Sequence, residues 1–460
     1  MTAQTILPAN SAASGGFEVA NSCRFDGSSS SMSITPGSNM NLDRWTWSGW
    51  IKRSSIGVLQ SILAADNAAS DTTLIEFDAN DKLNFLNLVS NNIKGKKITD
   101  RVFRDISAWY HIVVVWDSAN STAADRIKIY VNGVRETSFA TSDNPDSGVD
   151  SSLGESGVAT LIGTYVGEDS RFFNGYLAEV VLIDGSALAP TSFGEFDEDS
   201  GIWKPIKVSG LTFGTHGFYL DFQASGNLGN DANGGTDLGE SGLAAVDPST
   251  DTCTNNFATM NPLIPGQTNY TYSDGNLTIT QGSAAWVKSN STFGMSSGKW
   301  YWEGKWVSGN YTVFAVDNTD TAAPYSATSN SAVGYKRNGN VEIGTDPQTD
   351  IAAYAHGDTV SVALDMDNDA VYFYKNGAIQ NSGDPTSGAS KTGAYALPVT
   401  NSTYFANISP YGSGATTMNF GSPPYAISSS NADEDGFGNF EYAVPAGYFA
   451  LCSKNLAEYG

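Results

Sequence analysis

Apolar and polar residues alternate over short stretches along most of the chain, and clusters of Gly, Ser and Asn separate those stretches. Side chains on a strand point to its two faces in turn, so this period of two predicts β-structure. Between 17 and 60 it predicts short strands at Cys23–Phe25, Ser31–Ile34 and Trp45–Ile51, with Trp45 and Trp47 on one face. Trp109–Trp116 is aromatic, β-branched and apolar on both faces, the pattern of a central strand. Arg126–Val131 alternates cleanly and ends at Asn132-Gly133, two residues that tolerate the positive φ of a type I′ hairpin turn. Phe172–Ile183 supplies a further long strand. Helical periodicity is nearly absent; Ala187–Gly194 predicts one short turn, with Pro190 at its start.

Residues 223–262 change character, because Gly, Asn, Asp and Ser crowd together in the composition of a loop or linker. A second strand-rich block starts near Tyr270 and includes Gly298–Glu303, Ala332–Tyr335, Asp358–Asp365, Ala370–Tyr374 and Tyr404–Ser409. The blocks echo each other. In Asp125–Gly133 and again in Asp369–Gly377, an Asp turn leads through alternating large residues to Asn-Gly. The pattern predicts an all-β chain of two antiparallel sandwiches in tandem, joined by a loop-rich connector.

Charge narrows the partners. The 460 residues carry 24 Lys+Arg against 48 Asp+Glu, a net charge of −24. Such a chain repels phosphate backbones and anionic membrane surfaces, so no nucleic-acid partner and no membrane insertion are expected. The most apolar run, Ile112–Trp116, is far shorter than a membrane span, and Met1–Pro8 lacks the pattern of a secretion signal. Only 16% of residues are charged while 40% are hydrophobic, so the chain fills a core and builds its surface from neutral polar residues. Cys23, Cys253 and Cys452 are scattered and odd in number; buried free thiols are expected.

Catalytic chemistry finds little support. Among three histidines, His111 lies inside a strand, where a hydrogen-bonded structural role is expected, and His216 and His356 sit beside glycines in exposed turns. No G-x-S-x-G, H-E-x-x-H or P-loop pattern occurs, and no catalytic residue is assigned. Glu195-Phe-Asp197 begins an E-x-D-x-x-E glycosidase pattern, but Ser200 takes the place of the last acid. Asp365–Asp369 has D-x-D-x-D spacing, yet Ala370 and Asn376 replace the Gly and Glu of a calcium-binding EF-hand loop. A polar hairpin turn is expected there, and a solvated acidic turn at Asp433–Asp435.

The ordered set Cys23–Gly27, Trp47–Ile51, Trp109–Val113, Ile129–Gly133 and Phe173–Glu179 resembles a laminin-G-like (concanavalin-like) domain. Gly298–Glu303, Val362–Asp365, Phe373–Gly377 and Met418–Gly421 resemble a SPRY-type domain, also a concanavalin-like jelly roll. Gly201–Ile206, Gly217–Phe222, Asn255–Leu263 and Val444–Tyr448 resemble tailed-bacteriophage virion proteins, many of them marine, in which these two parts follow one another. The resemblance implies an N-terminal arm at 1–16 and a laminin-G-like sandwich at 17–200. A connector at 201–262, a SPRY-like sandwich at 263–428 and a C-terminal segment at 429–460 would follow.

It also implies a non-enzymatic structural protein on the virion exterior, a tail fibre or similar appendage. Such a protein forms homo-oligomers, joins other virion proteins and recognises a host-surface glycan or a neighbouring subunit through sandwich loops. A capsid decoration or head fibre protein, a glycan-degrading depolymerase tailspike and a secreted bacterial adhesin are the alternatives. The arm is expected to dock on another subunit. Laminin-G-like domains often carry calcium at a loop rim, but no ligands map onto this sequence, and no other cofactor is implied. Trp306, Tyr311, Tyr325 and Tyr335 lie near the SPRY-like loops and are the candidate ligand contacts. Trp47, Trp50, Trp109, Trp116, Trp300 and Trp302 lie on strands and are expected in the core.

Overall fold

A computed structural model describes residues 16–67, 70–165, 171–264, 270–284, 286, 288–319, 331–344 and 346–460. Nearly all regular structure is antiparallel β, and the chain divides into two compact units between Thr254 and Asn255. The arm proposed for 1–16 lies outside the described residues except for Gly16.

In the N-terminal unit one sheet runs in the order Val134–Arg135, Ile127–Val131, Trp109–Asp117, Arg44–Arg53, Asn174–Asp184, Ser22–Asp26, Pro248–Ser249. Its partner sheet is built on Lys82–Val89, Thr72–Phe77 and Gln60–Asp66. Alternation places Trp45, Trp47, Ile51, Ile112, Val114 and Trp116 in the core between the sheets, against Ile75, Phe77 and Phe85. The first sheet is also covered outside, where Val113, Val115, Val181 and Ile183 meet Phe193 and Phe213. Burial on both faces is why Ile112–Trp116 reads as an unbroken apolar run.

The stretch 201–254 is loop-rich, as its composition suggests, but its loops are fastened to this unit. Phe218–Leu220, Gly239–Ser241 and Pro248–Ser249 pair with strands of the two sheets, and Leu228 and Leu238 enter the core. Carboxylates hold the turns: Asp231 accepts from the N–H groups of Tyr219 (2.8 Å), Asn233 (3.0 Å) and Gly235 (3.0 Å). Polar composition here marks side chains that satisfy an irregular backbone.

His111 is a buried core histidine. Trp203 Nε1 donates to its Nδ1 at 3.0 Å, which leaves the proton on Nε2, 2.9 Å from Ser48 Oγ. Glu179 occupies a bulge in Asn174–Asp184 with φ +50°. Its buried carboxylate accepts from Tyr219 Oη at 2.5 Å.

The C-terminal unit repeats the plan. One sheet carries Thr278–Gln281, Ala415–Asn419, Lys299–Trp306, Thr359–Asp365 and Ala370–Lys375; the other carries Ser289–Met295, Tyr404–Ile408, Val313–Asp317, Ala332–Lys336 and Val341–Ile343. Trp300, Trp302, Val362 and Phe373 pack against Phe293, Phe314, Val333 and Ile408. The C-terminal segment closes the outer face with Phe440 and Tyr448, a parallel strand at Phe449–Ala450 and a helix at Ser453–Tyr459. All six tryptophans expected in the core are buried.

The sequence echo is a structural one. Asn132-Gly133 and Asn376-Gly377 have φ of +48° and +77°, and +48° and +76°, as a type I′ hairpin requires. In each, the Asn side chain also accepts from the neighbouring strand, Asn132 from His111 N (2.8 Å) and Asn376 from Thr359 N (2.9 Å). An aromatic ring from the downstream segment lies over each glycine: a Cβ on Gly133 would come 2.3 Å from Trp203, and one on Gly377 would come 2.5 Å from Tyr442.

Candidate ligand-binding face

Strand register brings four loops of the C-terminal unit, 307–312, 337–340, 348–358 and 409–414, and the described residues 282–284, 286 and 288 to one end of its sandwich. Tyr311 and Tyr411 fasten two of these loops by mutual backbone hydrogen bonds of 2.8 and 3.3 Å. The approach is close enough that a Cβ on Gly309 (φ +100°) would lie 2.1 Å from Gly414 Cα. That contact admits only glycine.

Aromatic faces gather on this frame. Trp286 stacks on Tyr411, with ring centroids 4.8 Å apart, and meets Tyr311 edge-on at 5.2 Å. All three rings are half-buried. Tyr311 Oη donates to Asn338 Oδ1 at 3.0 Å. The Arg337 guanidinium lies 5.1 Å from the Tyr311 ring and 5.6 Å from the Trp306 ring. Burial raises the Tyr311 hydroxyl above its ordinary pKa, and Arg337 partly opposes that shift.

Tyr311 is therefore on the exposed rim. Trp306 is only 2% exposed: its Nε1 donates to Ser308 O at 2.8 Å, and the exposed His356 meets its ring with centroids 4.0 Å apart. Tyr335 is fully enclosed, donates to Ala352 O and packs on Tyr354, so it presents no face to a ligand. Tyr325 lies outside the described residues. Trp286, Tyr411, Arg337 and Asn338 were not singled out from the sequence. Tyr411, Arg337 and Asn338 share a signal of position, since each sits in a short loop beside Gly or Asn, whereas Trp286, between Ala285 and Val287, carries no such local signal.

Carboxylates beside this face are already engaged. Asp358 accepts from Ala355 N (2.8 Å) and Asn376 Nδ2 (2.7 Å) and pairs with Lys375 (3.2 Å); Glu342 pairs with Lys336. In the N-terminal unit, Asp197 accepts from Ser200 N, Ser200 Oγ and Lys204 Nζ, which hold its carboxyl well below the usual range.

The carboxylates of the acid-rich turns are engaged as well. Asp365 takes Asn368 N and Nδ2 and Lys299. Asp433 is buried rather than solvated: Asp435 N, Phe437 N, Ala450 N and Asn455 Nδ2 all donate to it. Among the described residues no three His, Cys, Asp or Glu side chains gather in a metal-binding group.

Residues 26–191 match a family model described as the concanavalin A-like lectin/glucanases superfamily. Similar solved structures include the SPRY domain of human HERC1, with 19% identity over 35% of this chain and 96% of that one and a TM-score of 0.28. A heptameric SAP-like pentraxin from Limulus polyphemus has 17% identity over 38% and 80%, TM-score 0.29. The PSpry domain of TRIM65 has 13% identity over 35% and 92%, TM-score 0.27. No curated protein matches the chain.

Proposed function

We propose that this chain is a non-enzymatic binding protein on the exterior of a tailed-phage virion, a tail fibre or similar appendage, and that its C-terminal sandwich grips a host-surface glycan. One observation carries the binding role: three half-buried aromatic rings, Trp286, Tyr311 and Tyr411, packed on one another, with the segments at Ser283, Tyr311 and Tyr411–Gly412 tied by backbone hydrogen bonds. Aromatic faces stack on the apolar faces of pyranose rings, and a pre-ordered platform loses little entropy on binding. Engagement of Asp197, Asp358 and Glu342 by their own neighbours supports binding without hydrolysis. The virion assignment, assembly with copies of itself and attachment to other virion proteins rest on the sequence resemblance.

The test is binding of the purified chain to a glycan panel and to candidate host cells, with Trp286→Ala beside it. Removal of the stacked indole is expected to weaken glycan binding at least about tenfold, some 1.4 kcal/mol, while the thermal midpoint changes little. Binding that is indifferent to Trp286→Ala, or release of reducing ends from the bound glycan, would overturn the reading. Labelling intact particles with an antibody to the chain tests the virion assignment separately.

A further inference from the structure

We infer that this aromatic face selects glycans bearing an acidic group, with a carboxylate or sulfate ester lying against Arg337 while an adjacent sugar ring stacks on Trp286. The inference rests on the glycan-binding reading above. Acidic side chains outnumber basic ones two to one in this protein (48 against 24), so a basic side chain has carboxylates in abundance to pair with. Nearby lysines do so: Lys288 with Asp317 at 2.9 Å, Lys336 with Glu342, and Lys375 with Asp358 at 3.2 Å. Arg337 does not. Exposed at the rim, it makes no ion pair among the described residues, and its guanidinium lies against the rings of Tyr311 and Trp306.

A guanidinium resting on aromatic faces keeps its N–H edge available for a planar oxyanion, because the cation–π contact uses its flat side. Its backbone is held as well. Tyr354 N donates to Arg337 O (2.9 Å), and Gly339 N closes the turn on Lys336 O (3.0 Å). A Cβ on Gly339 would come 2.3 Å from Ile351 O, so the turn and the 348–358 loop are in direct contact. Asn338 accepts from Tyr311 Oη, which keeps its Nδ2 free to donate to a sugar hydroxyl. A cation on an anchored backbone, with no ion pair among the described residues and a ring platform beside it, matches an anionic sugar in both charge and shape.

Three probes distinguish the sources of the anion: an oligogalacturonate for carboxylate, a carrageenan oligosaccharide for sulfate and an agarose oligosaccharide as the neutral case. The intact protein is expected to bind at least one acidic probe about tenfold or more tighter than the neutral one, and added salt should erode that preference. Arg337→Ala should bring the acidic probe down to the neutral level with an unchanged thermal midpoint, and Arg337→Lys should restore only part of the difference. Equal affinity for acidic and neutral probes, or a preference that survives Arg337→Ala, would overturn the inference. If the neutral probe binds in a Trp286-dependent way without acidic preference, the glycan reading stands and the inference alone fails. If no probe and no other glycan binds, the glycan reading itself has failed.

Discussion

Two buried titratable side chains in the N-terminal unit lie on opposite sides of a pH balance. Burial pushes the Glu179 carboxyl up from 4.5 to about 7, with the Tyr219 hydrogen bond opposing, and pushes His111 down from 6.5 to about 3. Protonated Glu179 is favoured in the fold, so its contribution is full below pH 4.5 and is lost as the pH rises through 7. Neutral His111 is favoured in the fold, so its contribution is full above pH 6.5 and is lost as the pH falls towards 3. Between pH 4.5 and 6.5 the two trends oppose each other. Glu179→Gln keeps an acceptor for Tyr219 and removes only one of them. Urea unfolding of both proteins at pH 4.5, 6 and 8 should show the original losing about 3 kcal/mol relative to Glu179→Gln across that range. Parallel curves would mean that Glu179 is not held protonated. The Glu and His identities were visible in the sequence; their burial depends on which distant segments cover the sheet.

The paired hairpins test the same question for an element. Asn132-Gly133 and Asn376-Gly377 were legible because turn chemistry is local, and their positive φ values follow from the dipeptide. The rings that cap them, Trp203 and Tyr442, lie about 70 residues downstream and carry no local signal. Gly377→Ala meets both a left-handed backbone and the Tyr442 ring, whereas Gly447→Ala (φ +75°) meets only the backbone, since nothing lies within 4 Å. Chemical denaturation should give about 1 kcal/mol for Gly447→Ala and at least about 2 kcal/mol for Gly377→Ala. Equal losses would show that the ring moves aside. Glu303 anchors the same segment: fully buried, it accepts from Glu441 N, Tyr442 N, Tyr301 Oη and Asn419 Nδ2.

Taken whole, each unit is a sandwich completed by the chain that follows it. Trp203, Phe213, Leu228 and Leu238 belong to the outer cover or core of the N-terminal unit, all from beyond residue 200. Residues 17–254 produced alone should therefore unfold in one cooperative thermal transition, whereas 17–200 should lack near-ultraviolet circular dichroism and aggregate. Without 201–254 the shorter piece exposes the apolar outer face of its central strands and leaves His111 Nδ1 without its donor. A well-folded 17–200 would show that the later loops are accessory.

The sequence by itself determined the all-β character, the tandem sandwiches, the Asn-Gly hairpins and the buried tryptophans, because strand period and turn conformation are set by neighbouring residues. The tertiary structure alone decided which loop aromatics face outward. Trp306 and Tyr335 turned inward, while Trp286, Tyr411 and Arg337, which span 126 positions of sequence, met on one rim. It also decided that Asp197 and Asp433 hold backbone turns. Exposure and carboxylate partners depend on strand ends that converge from distant segments, and a local pattern carries no record of that convergence.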